Sequence, residues 1–540
     1  MARGGTVLAG AVAAAAVGAG SLWILAPSGT APAVGPSASA PPPSAAVKDA
    51  TPAYYQCPNT AMYPIFSASI PGDASPTITN QDAADCFAWW EFIALDWPTS
   101  GGAGFGDPGD TSAVQWQTWI EDTQLFPPGG AAPAGAPATA STECAVQAGV
   151  DAVRARSLPL VRHTSKFHRA GARALGPDRM DEAAPSRGPN WLGSQNGHNV
   201  WYEVHVSPDE AQFVVENHLY DADAQWGYVT GDGGVSLTDA GAVVGQGGHA
   251  FNLPVGETRS ADGGPGPVGA IEIKAAWMEA DSPADARWQT YKLMPAIVVD
   301  PATNACRSAT LALVGLHILH KTASQQSWVW ATFEHVMNVP GSTLPDGGTA
   351  PDGGFNFFNP ACTPQTVSVL PTCIPDGGTG GAPVAVSVGC TPNVPPPYYL
   401  KQGCPAAPIQ VTRTNPIDDT ASTQTRAAWS AIREHYPRSV WTNYQLVDVI
   451  WSSNAGEASG PVPIPLPLDG MQPTTRKVAN TTLETYAQGT RCTQCHVDAT
   501  IARTAFDCDP RWNADVSFLM AEASIPDGGP GCDARPRKRR

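Results

Sequence analysis

The string Cys492-Thr493-Gln494-Cys495-His496 gathers two thiols and an imidazole within five residues, near the C-terminal end of the chain. C-x-x-C-H is the spacing of covalent c-type haem attachment. Two sulfurs three positions apart reach the two vinyl groups of one porphyrin, each S–H adding across a C=C bond to give a thioether. The adjoining His496 then lies under the ring, where its imidazole serves as proximal iron ligand. The competing chemistries are half of a zinc site and a reducible disulfide. A structural zinc needs a second closely spaced Cys/His pair, and the nearest cysteine, Cys508, stands alone. The motif occurs once, so the expectation is one haem c, held by Cys492, Cys495 and His496.

The other face of such a haem needs its own cover. Small cytochromes c place the motif early and a Met ligand well downstream. Here the only downstream methionine is Met520, in the apolar run SFLMAEA, where a core role is expected. The upstream body must then supply any sixth ligand. Met337 and Met471 are options, and so are His317, His320 and His335, with His317 and His320 ranked first. On a helix His317 and His320 would share a face, whereas on a strand they would point oppositely. A bis-His iron has a lower potential than a His/Met iron. An empty sixth position would instead admit peroxide or oxygen, with His317, His320 or Glu334 as distal acid/base groups.

Covalent haem attachment takes place outside the bacterial cytoplasm, and the N-terminus reads as an export signal. Arg3 precedes an apolar stretch from Thr6 to Leu25. Residues 1–26 fit either a cleaved signal peptide or a retained membrane anchor, since about 20 apolar residues suffice to span a bilayer. The body is expected in the periplasm or secreted. Setting aside Cys492 and Cys495, the remaining cysteines are even in number and suit an oxidising compartment. Cys362, Cys373, Cys390 and Cys404 can pair in three ways, and Cys57–Cys86 and Cys508–Cys532 are further candidate pairs.

The elements that must position these groups lie in a loop-rich chain with 54 Gly and 53 Pro. Residues 27–50 form an Ala/Pro/Ser linker, 51–340 a main body, 341–408 a Pro/Gly/Cys-rich surface insertion and 409–525 a C-terminal part with the motif. Residues 526–540 form a disordered basic tail. Recurrent Pro-Asp-Gly runs match reverse-turn chemistry, and their spacing fits no calcium loop. The net charge of -17 with no basic stripe excludes nucleic acid as a partner. Ala83 to Trp97 has helical spacing and stops at Pro98. Val200 to Val206 alternates as a strand, and Pro208 to Leu219 follows as a helix with an acidic first turn. Ile271 to Trp277 and Trp288 to Asp300 read as strands, while Thr310 to His320 is apolar with no decided period. Trp328 to Val339 and Tyr444 to Trp451 are extended or mixed. Asn480 or Thr481 caps a helix through Tyr486 that Gly489 ends. The fold class is α+β: a large, mixed body with the haem motif near the C-terminus and no Rossmann-type alternation.

The segments CFAWWEFIALDWP, QNGHNVWYEV, ENHLYDADAQ, AIEIKAAWMEA, VGLHILHKT, WVWATFEHVMNVP, NTTLETY and CTQCH together resemble a family of large, exported, single-haem bacterial proteins called "cytochrome c family protein". The likeness runs from about Cys86 to Phe518, with the 341–408 insertion atypical. It implies one covalent haem on Cys492, Cys495 and His496, an exported body, and neither a substrate nor an established distal ligand. The expected function is one-electron transfer to a redox partner protein of unspecified identity. The alternatives are a peroxidase- or oxygenase-like haem enzyme, and a haem-containing sensor or partner-binding module.

Overall fold

The computed structural model describes residues 54–56, 62–64, 66–74, 77–100, 104–134, 140–164, 189–231, 235–237, 243–245, 248–257, 266–342, 354–375, 381–458, 460–502 and 511–524. The expected leader, linker and basic tail lie outside these residues, as do Cys57, Cys508 and Cys532. Among the described residues no helix is long and apolar enough to cross a membrane.

Helix and sheet are mixed, and the frame is one sheet of nine strands. Its strands are β1 (Ile120–Glu121), β2 (Leu160–Val161), β3 (Trp201–Val206), β4 (Ile271–Glu279), β5 (Leu293–Asp300), β6 (Ala305–His320), β7 (Val329–His335), β8 (Tyr444–Ser452) and β9 (Met471–Gln472). The order across the sheet is β9-β8-β7-β6-β4-β3-β1. The long strand β6 is the spine. Its first half pairs with β5 and its second half with β7, while β4 runs antiparallel along its other edge. Only β2 joins in parallel, against β5. The two strands from 409–525, β8 and β9, therefore extend one end of a hydrogen-bonded sheet built from 51–340.

One face of the sheet is covered by α1 (Gln81–Leu95) and α4 (Asp419–His435). The Asn80 side chain caps α1 by accepting from the Ala83 amide, and Asp418 caps α4 from Thr420. Helix α1 is buried on nearly every side, which is why its sequence is apolar almost throughout. Trp89 and Phe92 pack on Phe333 of β7 with ring centroids 5.1 and 4.3 Å apart. Helix α4 buries a single stripe, including Ala421, Thr425, Ala428, Trp429 and Ile432, and Trp429 Nε1 donates to the Tyr444 carbonyl.

The opposite face carries two apolar clusters. One joins Ala276, Met278, Ala312 and Val314 to Trp191, Phe357, Tyr398, Leu483 and Tyr486. The other joins Val204, Leu319, Trp330 and Ile450 to α2 (Pro208–Glu216), α3 (Ala222–Thr230) and residues from 501–502 and 512–523. Met520 is fully buried in this second cluster, in the expected core role. The insertion is pinned by Cys362–Cys390 and Cys373–Cys404, one of the three pairings left open. It is not confined to the surface, because Phe357, Val369 and Tyr398 are buried against Trp191. Cys144–Cys306 is a third disulfide, between a pair of cysteines not foreseen as partners, and Cys86 is also disulfide-bonded.

Residues 480–490 form a run of turns, not the expected helix. Tertiary hydrogen bonds replace the helical ladder there. Asn480 Nδ2 donates to Thr332 Oγ1 and to the Phe333 carbonyl of β7, and its Oδ1 accepts from the Thr482 amide. Glu484 Oε2 reaches back to the Asn480 amide at 2.8 Å, the side-chain half of a capping box without the helix. The segment lies close on β6 because residue 315 is glycine. A Cβ there would come within 2.1 Å of Thr482 Oγ1.

Candidate functional site

The motif residues form the short helix α5 (Cys492–His496) at one wall of a narrow pocket. The sheet supplies the facing wall. Lys274, His317 and Thr332 make one cross-strand row over β4, β6 and β7, and Leu319, Trp330 and Ile450 make the next. Val478, Glu484 and Ala487 close the side.

His496 is built as a metal-ligating histidine should be. It is buried, its Nδ1 donates to the Val516 carbonyl at 2.7 Å, and so Nε2 is the lone-pair nitrogen. Trp330 and Phe518 hold the ring edge-on, with centroids 4.6 and 4.8 Å away. Cys492 and Cys495 are thiols, partly exposed at the same pocket. The donor set fits a porphyrin tethered by two thioethers with His496 beneath it. Lys274 and Arg491 on the lining offer positive charge to its two carboxylates. Beside His496, burial pushes the Glu272 carboxyl up, opposed by a hydrogen bond from Ser517 and the charge of Lys274.

The strand character of 305–320 separates the two ranked histidines. A β-bulge between Leu313 and Gly315 resets the alternation, so that residues 315, 317 and 319 face the pocket side and 316, 318 and 320 face α1. His317 lines the pocket, and its Nε2 donates to Glu484 Oε1 at 2.9 Å. His320 does not reach it. Its Nε2 donates to the Val268 carbonyl at 2.6 Å and its Nδ1 shares a hydrogen bond with Glu91 of α1, leaving no nitrogen for a ligand. Burial raises the Glu91 carboxyl, opposed by the charge and hydrogen bond of His320.

The remaining candidates fall elsewhere. His335 stacks on Tyr291 at 3.7 Å and burial pushes it down to about 3, so it stays neutral. Its Nε2 donates to the Thr290 carbonyl and its Nδ1 accepts from the Met337 amide. Glu334 is a clamp, not a distal acid. It is ion-paired with Arg413 and accepts from the amide and hydroxyl of Thr481, at 3.0 and 2.7 Å. Among the described residues no methionine lines the pocket. Glu484 was missed from the sequence because its role there was that of a helix-capping acid. Its spacing from Asn480 was the available signal.

Family models, curated proteins and solved structures were compared with the chain, and none matches.

Proposed function

We propose that the chain carries one covalently attached haem c and transfers single electrons outside the cytoplasm, in the periplasm or after secretion. The observation that carries this reading is one shared pocket: both thiols and the buried imidazole of C-x-x-C-H on one wall, and His317 on the sheet wall. When bound, the haem supplies an iron that cycles between ferric and ferrous forms. The residues around it do the rest. Val516 fixes the tautomer of His496, Trp330 and Phe518 restrict its rotation, and the apolar strand residues keep water out. Glu484 orients His317 and holds a proton on its Nε2. His317 approaching as sixth ligand would close the site, as suits a carrier.

The His317–Glu484 hydrogen bond favours a second reading, in which the pair serves as a distal proton donor and acceptor in a haem enzyme. Carbon monoxide separates the two. The purified, reduced protein is expected to show low-spin bands that carbon monoxide leaves unchanged. Rapid, complete carbon monoxide binding would transfer the assignment to the enzyme reading. A His496→Ala protein is expected to lose the low-spin spectrum while keeping covalent porphyrin, and normal bands would remove His496 from the iron. Exported protein with no tightly held porphyrin mass would overturn both readings.

A further inference from the structure

On the other side of the sheet, at the edge formed by β1 and β3, three side chains converge that the haem site does not use. Glu203 and His205 are two apart on β3 and so share a face, and Glu121 of β1 pairs directly with His205. One oxygen from each carboxylate and one imidazole nitrogen lie within 4.8 Å of one another. His205 is 4% and Glu203 5% exposed. His205 Nδ1 donates to the Trp119 carbonyl at 3.1 Å, which leaves Nε2 as the lone-pair nitrogen. That Nε2 and Glu203 Oε2 are buried without a hydrogen-bond partner. Leaving a buried acceptor unmatched is unfavourable, because its solvation is lost with nothing in exchange. All three residues line a cleft open to solvent.

We propose that Glu121, Glu203 and His205 bind a divalent first-row transition metal ion, of which Zn²⁺ is the best fit. Two carboxylates and one neutral imidazole are a borderline-hard donor set suited to such ions, and no thiolate is present to select a softer one. Three protein ligands leave further positions for water from the cleft, as in catalytic rather than structural zinc sites. Asp122 adds a buried carboxyl next to Glu121; Arg162 acts on Glu121 and Lys274 on Asp122, but among the described residues no Lys or Arg is ion-paired with Glu203. The Trp119 carbonyl on His205 is the outer support that such sites use to fix the imidazole.

The test uses the full exported protein with its haem, stripped with a chelator and dialysed against Zn²⁺ or Mn²⁺, with bound metal counted by mass spectrometry. One Zn²⁺ per chain is expected. Affinity should fall at least about tenfold in Glu203→Gln and His205→Gln, with haem bands and circular dichroism unchanged. Glu121→Gln, at the partly exposed rim, guards against misfolding of the buried variants and should show the same loss. Added Zn²⁺ should also raise the melting temperature of the wild type and not of Glu121→Gln. Absence of stoichiometric binding, or equal binding by wild type and Glu121→Gln, would overturn the proposal.

Discussion

Replacing Glu334 by Gln tests whether the turn segment beside the pocket is held by a buried charge. Glu334 and Arg413 are paired in the interior, with side chains 0% and 4% exposed. Burial alone pushes the Arg413 guanidinium down to about 10 from an ordinary 12.5, which at about 1.4 kcal/mol per pKa unit is a solvation loss near 3 kcal/mol. Glu334 is the carboxylate set directly against that cation. In Glu334→Gln the amide oxygen still accepts from Thr481, but Arg413 is left as an uncompensated buried cation. The expected destabilisation is about 3–5 kcal/mol. Since whole domains are stable by only about 5–15 kcal/mol, this should be plain in guanidinium unfolding followed by tryptophan fluorescence and the haem band together. The double variant Glu334→Gln/Arg413→Met removes both charges and should recover most of the loss. A single-variant loss below about 1 kcal/mol, or a double variant worse than the single, would refute the clamp. The resting haem spectrum should be unaltered, because Glu334 does not line the pocket.

His317→Leu should retain covalent haem but shift low-spin bands toward high-spin and speed carbon monoxide binding. It should also cost about 1.5–3 kcal/mol for the lost hydrogen bond to Glu484, and an unchanged spectrum would exclude His317 from the iron's surroundings. Asp96 gives a pH signature: burial pushes its carboxyl up to about 8, against a hydrogen bond from Trp116. Between the unfolded value near 4 and about 8 the folded state holds the extra proton. The contribution is therefore fully present below about pH 4 and lost as pH rises through 8. Melting temperature should decline from pH 6 to 8.5, and Asp96→Asn should flatten that decline; parallel curves for the two proteins would show that Asp96 carries none of it.

Local pattern carried much of the architecture. The helix expected over Ala83 to Trp97 is α1, and the alternation in VWYEVHV and the acidic start of Pro208 to Glu216 both correspond to real elements. The C-x-x-C-H motif was legible too, because thiol spacing is a short-range property, whereas His317 and His320 could be told apart only once the strand was known. Three features were not. Thr310 to His320 had no readable period because a bulge breaks the alternation inside it and both sides are buried. The turns at 480–490 carry a helix-capping signature that long-range hydrogen bonds to β7 override. Glu121 meets Glu203 and His205 only through strand pairing, so no window of sequence holds all three. The i, i+2 acid–histidine pair in VWYEVHV was the one visible trace.

Gly315 does not itself line the pocket, yet it lets the turn beside the pocket lie close on the strand. The turn bearing Glu484 rests against the strand across the space a single methyl group would fill, with Thr482 and Asn480 as the first obstacles. Enlarging that residue by one carbon would lift the turn and its glutamate off His317, and would tug on the chain that leads directly into the two thiols. The spacing between that turn and the strand is thus set in part by an absent side chain.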